Sequence, residues 1–320
     1  MSFNEAELHR HCVHILNQRR IKNKIVILCE GGIPQDKGRP SPQSYSRMEQ
    51  MPDANFYKGC VPKCWKQSLP EFVICGDKRD VLDTYSTLLQ WHEQGKDMGY
   101  LKSEKLFAIV DLDLQKQRID DYDFLDTDEI FLDLYDEIRV NVKTVSQHRI
   151  WVTGLIYKEA YFMIPELQAV FDHWENALTY DERPLQLEGV YLRMCNDIVD
   201  DISIQNSLPI VRDRIRYCTG LDCSNTTQLK DSWQQQFKNS QLPSYEKEKL
   251  VFALLRIKQV KNYWHQIKPP SYWTGSIVEF RDQLSLHIAD FYSRNYEDAK
   301  YHISFLLHNL YVRLSESTRS

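Results

Sequence analysis

Leu106-Phe107-Ala108-Ile109-Val110-Asp111-Leu112-Asp113 joins five apolar residues directly to a pair of aspartates. A run this short and unbroken reads as a strand covered on both faces, because a half-exposed strand would alternate apolar with polar residues. Two earlier runs share the pattern. Ile25-Val26-Ile27-Leu28-Cys29 ends at Glu30-Gly31-Gly32, and Phe72-Val73-Ile74-Cys75 ends at Gly76. A fourth, Arg149-Ile150-Trp151-Val152-Thr153, follows a very acidic stretch. Between the second and third runs, residues 77–94 carry Val81, Leu82, Tyr85, Leu88 and Leu89 at helical spacing. A helix is also predicted over residues 4–19. Strands alternating with helices predict an α/β fold with a parallel sheet flanked by helices.

The character of the chain changes near residue 165. Beyond it, nearly everything reads as helix, with strong segments at 246–267, 277–292 and 296–314 and a break at Pro269-Pro270. This divides the 320 residues into an α/β domain over 1–165, with its N-terminal helix, and an all-helical lobe over 166–320, near the usual length per domain.

Hydrophobic residues make up 42% and charged residues 27%, which excludes wholesale disorder, collagen and a coiled-coil rod. No apolar run approaches the roughly 18 residues of a membrane span. The polar, acidic start carries no signal-peptide pattern. Eight cysteines in a chain of this size fit a reducing compartment, so a cytoplasmic location is expected. The net charge of -5 places no basic surface over the whole chain, though a local one is compatible with it.

The chemistry-bearing residues lie at predicted strand ends, where open α/β sheets collect their ligands. Glu30 closes the first strand, Gly76 the second, and Asp111 and Asp113 the third. If the backbone stayed extended, the two aspartates would share one side. Carboxylates brought together repel and raise one another's pKa unless a cation sits among them. Such hard oxygen donors suit Mg²⁺ or Mn²⁺, which activates water and neutralises charge on a phosphodiester.

Glu, Gly and Asp-x-Asp at successive strand ends, in that order, resemble a TOPRIM domain. Tyr157-Lys158-Glu159-Ala160-Tyr161-Phe162-Met163, after the fourth strand, resembles an aromatic-rich segment of TOPRIM-like proteins in bacterial phage-defence systems. Gly76-Asp77-Lys78-Arg79-Asp80-Val81 is similar to that group's turn into a helix. The resemblance covers roughly residues 20–165 and points to the overcoming-lysogenization-defect (OLD)-like nucleases rather than to topoisomerases or primases. It implies a Mg²⁺- or Mn²⁺-dependent nuclease acting on DNA or RNA, a defence effector or toxin paired with an ABC-type ATPase. It implies Glu30, Asp111 and Asp113 as metal ligands, with Glu159 completing the site or acting as general base. Lys158, Lys78 and Arg79 would offset phosphate charge. Apart from the resemblance, a long loop over residues 33–67 carries Lys37 and Arg39, which read equally as contacts to a nucleic-acid backbone phosphate and as part of a flexible, solvated loop. A homo-oligomer stays open.

Two other readings stand beside it. One is a TOPRIM-like scaffold without turnover that binds a partner protein. The other is a different Asp-x-Asp metal-dependent phosphoryl or glycosyl transfer enzyme. A haloacid-dehalogenase phosphatase needs the motif on its first strand, and a glycosyltransferase does not account for Glu30 and Gly76.

Bland readings compete elsewhere. The dense acids of residues 120–137 lack calcium-loop spacing and read as a solvated, partly helical face or a docking surface. His9, His11, Cys12 and His14, the pair Cys60 and Cys64, and the pair Cys218 and Cys223 depart from zinc spacing. Tyr263, Trp264, Tyr272, Trp273, Phe280, Phe291 and Tyr292, interleaved with Lys258, Lys261 and Lys268, read first as packing and second as a stacking surface for a single strand.

Overall fold

The structure is a computed structural model that describes residues 2–32, 52–65, 69–173 and 178–317. It is an α/β protein built on a four-stranded parallel sheet. The strands are β1 (Val26–Cys29), β2 (Glu71–Ile74), β3 (Leu106–Val110) and, later in the chain, Ile150–Val152. Two short antiparallel strands intervene, β4 (Tyr135–Asp136) and β5 (Arg139–Val140), so the fourth sheet strand is β6. The order is β2-β1-β3-β6. Every residue of these four strands is buried, as the unbroken apolar runs require.

The register matters for function. Cys29 pairs with Ile74 on one side and Ile109 on the other, and Val110 pairs with Val152. The carboxyl ends of β1, β2 and β3 therefore stop at one level. Glu30 leaves β1 beside the residues that leave β3.

The flanking helices are α1 (Glu5–Leu16), α2 (Pro52–Gly59), α3 (Lys78–Glu93) and α4 (Thr127–Leu134). Asn4 caps α1 and Asp77 caps α3, each in a reciprocal capping box with the acid three residues on. Helix α3 packs on β1 and β3, α2 on β2, and α4 on β6.

The carboxyl-terminal half is helical: α5 (Leu167–Asp172), α6 (Leu187–Asn196), α7 (Ile202–Asn206), α8 (Leu208–Ile215), α9 (Thr226–Phe237), α10 (Ser244–Ile257), α11 (Lys261–Trp264), α12 (Ile277–Arg294) and α13 (His302–Ser317). One correction to the all-helical expectation is a hairpin, β7 (Thr179–Tyr180) and β8 (Arg183–Pro184). Asp181 and Glu182 turn it with positive φ at both positions, the conformation of a tight two-residue hairpin. The helix predicted over 246–267 divides into α10 and α11, and the last helix begins at His302 rather than 296.

A single buried cluster of hydrophobic residues runs from Cys12 to Leu310 and takes in both halves. Arg256 of α10 is buried and donates from Nε to the carbonyl of Gly154 at 3.1 Å and from Nη2 to that of Glu137. His302 of α13 donates to the carbonyl of Ile138 at 2.8 Å. The helical half thus clamps the turns around β4 to β6. No helix among the described residues is long and apolar enough to cross a membrane.

Candidate functional site at the sheet's carboxyl edge

Gly76 sets the entry to the site. The Gly31 amide donates to the Gly76 carbonyl at 2.9 Å, so the turns after β1 and β2 are tied together. Gly76 has φ +95°, and a Cβ there would overlap the Asp80 carboxylate that serves the α3 capping box. Glycine is needed for both reasons. The turn delivers Lys78, the first residue of α3, inward: it is buried, and its Nζ lies 2.9 Å from Oδ1 of Asp113.

Strand β3 ends at Val110, so Asp111, Leu112 and Asp113 are not extended. The Asp113 amide donates back to the Asp111 carbonyl at 3.1 Å, a tight turn. The turn replaces the extended geometry on which the shared side was expected, while the charge of Asp113 still acts on Asp111. Asp113 meets Lys78. Asp111 points into the protein, where its Oδ1 is buried without a hydrogen-bond partner among the described residues. Glu30 accepts the Asp111 amide on Oε1 at 2.6 Å.

Burial pushes the Glu30 carboxyl up to about 7, against the Asp111 amide and Lys78, which pull it down, and with the charges of Asp113 and Asp77. Asp111 is raised well above the usual carboxylate range, first by burial and then by the charges of Glu30 and Glu159. Glu159 thus stands within charge range of Asp111. It lies in the 3₁₀ turn Lys158–Phe162, next to Lys158, whose amine is pushed down by burial.

No family model, curated protein or solved structure matches the chain. The site must be read from its own geometry.

Two contacts hold the Asp-x-Asp turn that the sequence does not reveal. Thr153, after β6, accepts the Leu112 amide at 2.9 Å. Arg214 of α8 donates from Nη2 to the Asp113 carbonyl at 2.7 Å, while its Nε and Nη2 grip Asp128. Asp128 is buried, so the solvated, partly helical face read over residues 120–137 does not include it. A buried arginine on a short helix carries no sequence signature of its own.

The remaining candidates scatter. Arg79 is exposed and pairs with Asp83, 3.4 Å away on the same helix. Lys37 and Arg39 lie outside the described residues. Cys60, Cys64, Cys218 and Cys223 are free thiols, and His11 is buried with Nε2 3.4 Å from the Cys75 sulfur. Of the aromatics, Tyr263, Trp264, Phe280 and Tyr292 are core, whereas Tyr272 is half exposed.

Among the described residues, no group of three or more His, Cys, Asp or Glu is arranged to hold a metal ion. In this arrangement Glu30 is engaged with an amide and Asp113 with Lys78. Carboxylate oxygen is the donor type that a hard divalent cation takes, and the Asp111 Oδ1 is buried with no hydrogen-bond partner among the described residues. Rotation of the Glu30 and Asp113 side chains is the change a shared ion would require.

Proposed function

We propose that this chain is a divalent-metal-dependent nuclease with a TOPRIM-like site. The observation that carries the reading is Asp111. A carboxylate with a buried, unpartnered oxygen, facing the charges of Glu30 and Glu159, is costly to the fold by itself. A site for a cation accounts for its place.

Glu30, Asp111 and Asp113 would hold Mg²⁺ or Mn²⁺. When bound, the ion supplies charge neutralisation at a phosphate oxygen and lowers the pKa of water. The chain's own residues do the rest. Lys78 balances Asp113 and keeps the Asp-x-Asp turn closed. Glu159 takes the proton of the attacking water as the new phosphorus–oxygen bond forms. Lys158 faces the phosphate and yields a proton to the leaving oxygen as the scissile bond breaks, a task that its burial-lowered amine favours. Thr153 and Arg214 position the turn and touch no substrate.

A cytoplasmic defence effector controlled by an ABC-type ATPase is the context that the family resemblance supports. The scaffold reading rests on the Glu30 and Asp113 contacts, which leave no ready ligand set.

Mn²⁺ titration of the isolated chain by calorimetry separates the two, together with cleavage assays on DNA and RNA. Saturable Mn²⁺ binding that Asp111→Asn abolishes, with metal-dependent cleavage lost in the same variant, is expected. No Mn²⁺ binding at millimolar ion would overturn the nuclease and leave the scaffold. The binding readout holds even for an effector kept silent until a partner releases it.

A further inference from the structure

Phe162 ends the turn that carries Lys158 and Glu159, and its ring meets two others. Phe56 of α2 lies 4.9 Å away edge-on, and Trp264 of α11 lies 4.8 Å away. This aromatic cluster draws three elements together, and each carries a lysine: Lys58, Lys158 and Lys261. Lys58 and Lys158 both lie within charge range of Cys29, the residue before Glu30. Lys158 is within the same range of Lys261, and of Asp282. Arg281 of α12 continues the series, donating to the carbonyl of His265 at 2.6 Å. His265 in turn is within range of Lys158, Lys261, Arg281 and Glu159. Lys261 and His265 are exposed.

We propose that Lys58, Lys158, Lys261 and Arg281 form a cationic wall, half of it supplied by the helical region, that binds the phosphodiester backbone of a nucleic acid and leads it onto the acid cluster. The inference rests on the nuclease reading and assigns that site its substrate-binding surface. A cluster of carboxylates repels a polyanion, in a chain whose net charge is already -5. Approach then requires a local cationic rim. The wall stands where that requirement falls, with Lys58 and Lys158 in charge range of the residue before Glu30 and Lys158 beside Glu159.

The test is fluorescence anisotropy of labelled 20-nucleotide DNA and RNA strands in chelator, across a salt series. Lys261→Gln with Arg281→Gln is the main variant. Lys22→Gln, just before β1 and so at the opposite end of the sheet, is the control. The double variant should weaken binding on the order of tenfold for all sequences alike and reduce the salt slope by about 1.4, two phosphate contacts on a single strand. KM should rise with kcat unchanged, and the control should match wild type. If the double variant does not fold, exposed Lys261→Gln alone should lower the slope by about 0.7.

Unchanged affinity and slope in the variant would overturn the wall while leaving Mn²⁺ binding and cleavage, hence the nuclease, intact. Loss of Mn²⁺ binding with the wall still gripping oligonucleotides would do the reverse. Polyglutamate competing as well as DNA would overturn the nucleic-acid assignment in favour of an acidic protein partner.

Discussion

Arg214 grips Asp128 through both Nε and Nη2, at 2.9 and 2.7 Å, and the same Nη2 reaches the carbonyl of Asp113 at 2.7 Å. One guanidinium of the helical half therefore secures an ion pair and the turn that carries the candidate site. Both partners are buried. Arg214→Ala should cost about 3–5 kcal/mol, because it strands the Asp128 carboxylate. Arg214→Met with Asp128→Leu should recover most of that stability in urea unfolding. Mn²⁺ affinity should stay low in the double variant, since the Asp113 carbonyl has lost its donor. Full affinity there would show that Arg214 serves the fold alone.

Asp111→Asn removes one charge from a buried cluster of like charges. The metal-free variant should be more stable than wild type, because it no longer carries an ionisable group that burial and its acidic neighbours disfavour. The rise in melting temperature on adding Mg²⁺, expected of wild type, should vanish. Thermal unfolding with and without metal reads both. A destabilised variant would mean that the Asp111 carboxylate has a structural partner.

Gly76→Ala should destabilise by about 1–3 kcal/mol, from the left-handed backbone and from overlap with the Asp80 carboxylate. The two contributions separate in a cycle with Asp80→Ala, which removes the overlap but not the backbone cost. An equal loss in both backgrounds would assign the whole effect to the backbone.

Two buried histidines give the fold an acid limit. His11 is lowered to about 4 by burial and by His14, and His302 to about 3 by burial and by Arg256. Both are lowered relative to the unfolded chain, so the unfolded chain takes their protons first as pH drops. Their contribution to stability is complete above about pH 6.5 and declines below it, by up to about 1.4 kcal/mol per pH unit for each. Glu30 works the opposite way, since its raised pKa makes the folded chain take the proton first and stability fall as pH rises from 4.5 to about 7. The measurement is therefore a difference: urea unfolding at pH 7.5 and 5.5 for wild type and His302→Gln. Wild type should lose more on acidification than the variant, and equal losses would exclude His302.

The sheet was legible in the chain because its strands are buried on both faces and so leave unbroken apolar runs. The observed strands fall within a residue or so of those runs, and α3 follows the apolar spacing of residues 77–94. Helix ends in the second half were less legible. Lys258 to Val260 interrupt a periodic segment without glycine or proline, and tertiary contacts decide the break.

By itself, the sequence determined a parallel α/β sheet and the presence of Glu30, Gly76, Asp111 and Asp113 at its strand ends. Apolar continuity and turn chemistry act over a few residues, and a linear reading captures them. Tertiary structure decided the strand order that sets β1 beside β3, and so Glu30 against Asp111. It decided that Asp113 pairs with Lys78, that Arg214 arrives from a hundred residues downstream, that Lys261 comes within charge range of Lys158, and that Arg281 meets His265. Those are long-range packing outcomes. They depend on which buried faces meet, and no local pattern encodes a charge's partner when that partner comes from another element.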